Sequence, residues 1–193
     1  MVYVLLLLFT VAAWNLDEMY RYMPRSMGTL VLLYFAIVFI IDFEYKLILH
    51  NVSIIGGIIC GVIGIYLHGF LTTLYGGIAG FGIVYSFYLL GWLFTVVVAK
   101  LQKKSIGDIA FGFGDVTLST TLGLLMGWPS IMTSLFLAIM LGGIVSAILM
   151  VTMIIRRRYR RFVAIPFGPF FILGAMLIIF FPSFTFNLVA SGF

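Results

Sequence analysis

The chain has 193 residues, of which 64% are hydrophobic and 9% charged, and its mean hydropathy is +1.26. A water-soluble globular domain of this length carries far more charge, so that class is excluded. The formal charge of +5 does not point to nucleic acid either, because the basic residues gather in connections between apolar runs, where they act as topology signals.

Charge, proline and glycine divide the chain into seven apolar segments. The first, 2–14, has no basic stretch ahead of it, and Asn15 to Glu18 offer no small-x-small cleavage site, so it reads as a short first helix rather than a cleaved signal. A connection with Arg21 and Arg25 leads to the second segment, 27–41, which runs directly into Asp42. Phe43 to Asn51, carrying Lys46, precede the third segment, 52–67, and His68 to Thr72 join it to the fourth, 73–98. Leu101 to Gly114 then lead through Lys103, Lys104 and Asp108 to Asp115 and the fifth segment, 116–128. A tight Trp128-Pro129-Ser130 turn opens the sixth, 131–154, and Arg156 to Arg161 separate it from the last, 164–182.

A membrane-crossing helix takes about 20 apolar residues at about 1.5 Å each. The pattern therefore predicts one all-α membrane domain over 1–193, a polytopic bundle of about six or seven transmembrane helices. The first and fifth segments are short and are expected to lean on neighbours or to stop short of a full crossing. The connections after segments two, four and six hold nine of the eleven Lys and Arg residues, which predicts that those loops are cytoplasmic. Three glycine pairs at i, i+4 spacing (Gly57 and Gly61, Gly76 and Gly80, Gly123 and Gly127) predict close helix contacts. The single cysteine, Cys60, excludes an internal disulfide and a thiolate metal cluster, and no metal or other cofactor is implied.

Two carboxylates stand out because each adjoins a long uncharged run: Asp42 ends one and Asp115 opens another. Segments three and four separate them, so an even number of crossings returns the chain to the same face. Two carboxylates brought close share a proton rather than both ionising, and such a pair can activate water for amide hydrolysis. The ionised member takes a proton from water while the protonated member donates to the scissile carbonyl. The plainer reading is that Asp115 caps its helix and Asp42 merely ends one.

The surrounding residues go further. Ile41-Asp42 after an apolar helix, Asn51 opening the next, and Gly112-Phe113-Gly114-Asp115-Val116-Thr117-Leu118 resemble the type IV prepilin peptidases, or bacterial leader peptidases. Leu122 to Trp128 resembles the L-G-x-x-x-G-W stretch of that family, and Ile165-Pro166-Phe167-Gly168-Pro169-Phe170 its I-P-F-G-P-F segment, so the matches span about 30–178. The resemblance implies an aspartic endopeptidase of the inner, cytoplasmic membrane, with Asp42 and Asp115 catalytic and Gly112, Gly114 and Asn51 on the substrate side. It further implies a prepilin or pseudopilin substrate, with its basic leader cut at the cytoplasmic face, typically after a glycine. Two departures accompany it: His50 stands where many members have proline, and one cysteine leaves no room for the C-x-x-C insert that longer members carry and that is often linked to methylation of the new pilin N-terminus.

Glu44 and Asp108 read as solvated or substrate-contacting charges, His50 and His68 as boundary residues at opposite faces, and the arginine run as a lipid-held stop. Two other function classes fit paired membrane carboxylates: a proton-coupled carrier or small channel, and a non-catalytic scaffold.

Overall fold

The computed structural model describes residues 23–45, 50–102, 112–155 and 167–180. The regular elements among them are six α-helices: α1 (Arg25–Tyr45), α2 (His50–His68), α3 (Phe70–Gln102), α4 (Phe113–Met126), α5 (Ser130–Ile155) and α6 (Gly168–Phe180). The first apolar segment, Lys46, Lys103, Lys104, Asp108, the arginine run and Ile165-Pro166 lie outside the described residues.

The protein is an all-α membrane helix bundle. Its outer surface carries Ile58, Val62, Tyr66, Leu71, Phe94, Phe136 and Ile155 largely exposed, an apolar cover that water would not tolerate over such an area. Two helices, Phe70–Val97 and Ser130–Ile155, are long and apolar enough to cross a membrane, and four shorter apolar helices accompany them.

The short fifth segment becomes α4, which at 14 residues is only about 21 Å long. Its neighbours explain how so short a helix is held: it packs on α3 and α2 most extensively and also touches α5 and α6. Val116, Leu118, Leu122 and Leu125 on it are almost wholly buried. Glycine makes that packing possible, as the spacing predicted for Gly76 and Gly80. A Cβ on Gly76 would strike the carbonyl of Gly123, and one on Gly80 the carbonyl of Ser119. The Ser119 hydroxyl uses the same approach to donate to the Gly80 carbonyl at 3.0 Å.

Helix ends differ in detail from the expected ones. The connection expected over His68 to Thr72 shrinks to Gly69, whose φ of 82° is a backbone state open to glycine and costly for other residues. Its N–H donates to the Ile65 carbonyl while its own carbonyl accepts from Thr73 N–H, so α2 passes into α3 with its backbone satisfied. The Trp128-Pro129-Ser130 turn stands as expected, entered through Gly127 at φ 68° and tied to α3 by Trp128 N–H donating to the Thr72 carbonyl.

Candidate active site

Asp42 does not end its helix: α1 continues to Tyr45, and the carboxylate lies in the last turn, 4% exposed. Asp115 does not quite open its own, because α4 begins at Phe113 and places Asp115 at the third helical position, 8% exposed. There its Oδ2 accepts the Gly112 N–H at 3.2 Å, and its own N–H donates to the Gly112 carbonyl at 3.1 Å. Asp115 thus does cap α4, since a carboxylate in the first turn meets free N–H groups and the positive end of the helix. That contact occupies one oxygen and leaves the other for further chemistry.

Asp42 and Asp115 are both buried, each on a helix that packs against α6. Neighbouring helices screen both carboxylates from water. α2 packs on both acid-bearing helices as well. Near the start of α2, Ser53 is buried and its hydroxyl pairs with that of Thr117 at 3.2 Å, two residues beyond the Asp115 cap. Asn51 lies in the first turn of α2, and its side chain is outside the described residues.

The glycines before Asp115 divide in role. Gly112 has an extended backbone at φ −79° and ψ 151°, which any residue adopts, and a Cβ there would meet nothing closer than 3.9 Å. Its contribution within the chain is its N–H. Gly114 is half-buried, and its carbonyl accepts the Thr117 hydroxyl at 2.8 Å.

Residues 29–147 match the type IV leader peptidase family. The chain belongs to that family. No curated protein and no solved structure matches it. As a leader-peptidase-type protease of the membrane, it carries its two buried carboxylates on the helices just described, Asp42 and Asp115 both lying inside the matched span.

Gly168 of the peptidase, part of the I-P-F-G-P-F segment, carries a contact that the sequence did not assign. Gly168 begins α6 directly against Asp42, so that a Cβ there would collide with the carboxylate, lying 2.9 Å from its Cγ. The available signal was a glycine between Phe167 and a helix-starting proline, Pro169. Other candidates fall elsewhere: His68 lies at the far end of α2, about 28 Å from its start, and so is remote from the acids. A half-open apolar cleft of about 230 Å³ between α3, α5 and α6 is lined by Val84, Leu135, Phe167 and Phe171. It brings apolar surface within one residue of Gly168.

Proposed function

We propose that the protein is an aspartic endopeptidase that removes the basic leader of a prepilin or pseudopilin, using water activated between Asp42 and Asp115. The observation that supports this reading is the pair itself: two carboxylates, each more than nine-tenths buried, on helices that both pack against α6 in a membrane bundle of this family. A buried pair at short range binds one proton between them, so a base and an acid coexist at the same pH. The ionised carboxylate draws a proton from water as oxygen attacks the scissile carbonyl, and the protonated partner donates to that carbonyl. Collapse of the tetrahedral species expels the amine, which takes up a proton from the pair. The Gly112 N–H at Asp115 Oδ2 restrains that carboxylate in rotation.

Sidedness follows from charge. The connections after segments two, four and six together hold nine of the eleven Lys and Arg residues, and Asp42 and Asp115 adjoin the first two of them, which supports a site at the cytoplasmic face of the inner membrane. A substrate anchored by its own apolar helix presents its leader at that depth, so the bilayer supplies part of the positioning. Gly112, Gly114 and Asn51 then stand on the substrate side of the pair.

The test is cleavage of a co-expressed prepilin by wild type, Asp42→Asn and Asp115→Asn at equal membrane abundance. Loss in both variants supports the two-aspartate reading. Cleavage that persists in either variant removes that acid from the mechanism, and intact substrate with the wild type as well favours a carrier or channel.

A further inference from the structure

Beyond the acid pair, we propose that Gly168 is a positioning residue: the start of α6 seats the Asp42 carboxylate by close backbone approach, and only glycine allows that seat. Three observations carry this. First, a Cβ at position 168 would collide with Asp42, 2.9 Å from Cγ and 3.5 Å from Cβ, so the side chain presses on the bare α-carbon. Second, the first turn of α6 has one backbone donor to spare. Pro169 has no N–H, while the N–H groups of Phe170 and Phe171 donate to the Phe167 carbonyl at 3.0 and 3.2 Å, which leaves Gly168.

Third, Asp42 Oδ2 is buried and has no hydrogen-bond partner among the described residues. That oxygen is held by packing against the start of α6 and by the positive end of the helix rather than by a fixed donor. Its position therefore depends on how closely α6 approaches, and that approach is set at Gly168. Since α6 also packs on α4, the same helix holds both acids at a common spacing.

The test is a double-mutant cycle with two readouts. The first is thermal stability in detergent for Gly168→Ala, Asp42→Ala and the double variant. The collision is with the Asp42 side chain, so Gly168→Ala lowers the melting temperature in the wild-type background and leaves it unchanged in Asp42→Ala. An equal loss in both backgrounds, or no loss in either, overturns the proposal. This cycle is read without turnover and holds whatever the reaction is. The second readout rests on the peptidase reading: the folded fraction of Gly168→Ala cuts prepilin with kcat reduced about 10²-fold, as about 1 Å of misplacement produces, and with KM unchanged. Gly174→Ala is the structural comparison. It lies on the same helix, where its Cβ would stand 2.6 Å from the Ser134 carbonyl oxygen and away from Asp42. It lowers stability and leaves kcat of the folded fraction intact. A Gly168→Ala enzyme with wild-type kcat also overturns the proposal. A coupled cycle combined with no turnover in wild type preserves the seat and removes the peptidase reading.

Discussion

Replacing Gly123 by alanine tests how the central helix is held. Gly123 on α4 faces α3, and a Cβ there would strike the Gly76 carbonyl, 2.8 Å from its carbon and 3.2 Å from the α-carbon of Gly77. Both obstacles are backbone, so no rotamer change relieves them and the two helices must part. Overpacking of this kind costs about 3 kcal/mol, the upper end of its usual range. Separation also stretches the 3.0 Å bond from Ser119 to the Gly80 carbonyl, a contribution of about 0.6 kcal/mol within a membrane. Alanine returns about 1 kcal/mol through its better helix propensity. The net loss is about 2–3 kcal/mol. Reversible unfolding in mixed micelles measures it, with Gly82→Ala as the companion: Gly82 sits on α3 with nothing within 4 Å, so alanine there is neutral or stabilising by up to about 1 kcal/mol. Equal stabilities of the Gly123→Ala and Gly82→Ala proteins would refute the close-packing account.

Three further outcomes follow from the same contacts. Gly112→Ala keeps the N–H at Asp115 and fits the φ of −79°, so cleavage and stability stay near wild type. Gly112→Pro suits the same φ but removes the donor, and a hydrogen bond to a charged group is worth about 1.5–3 kcal/mol, so turnover of the folded enzyme falls at least about tenfold in a prepilin cleavage assay. Ser119→Ala loses the cross-helix bond to Gly80 without a clash and costs about 0.6 kcal/mol in the same micelle unfolding measurement.

Much of the architecture was legible because a bilayer imposes simple demands. Each backbone polar group in hydrocarbon must be paired within a helix, so long uncharged runs translate directly into α-helices. Gly76 and Gly80 announced a close contact through their spacing alone, and the Trp128-Pro129-Ser130 turn through its proline. Helix ends were less legible. Asp42 reads as a terminus because a charge closes an apolar run, yet α1 continues through Phe43 to Tyr45, since backbone hydrogen bonding does not stop where hydropathy does. Likewise, three polar or glycine residues over His68 to Thr72 suggest a loop, but one glycine at positive φ is enough to join α2 to α3. At the site, the two carboxylates were visible as the exceptional charges of an apolar chain. Their setting was not: Gly168 lies 126 positions from Asp42, and only the packing of α6 on α1 brings them together. Nor does local sequence distinguish the two roles within Gly112 to Gly114, because a glycine kept for its N–H looks the same as one kept for its missing side chain.

The central claim is that Asp42 and Asp115 act together as the hydrolytic pair. Its most direct test is the rate of leader removal from a purified prepilin by wild type, Asp42→Asn and Asp115→Asn reconstituted at equal amounts, with binding of uncut substrate followed in parallel. The account predicts that both variants bind substrate as wild type does and cut it at no measurable rate. Cleavage by either variant at a rate near that of wild type would contradict it.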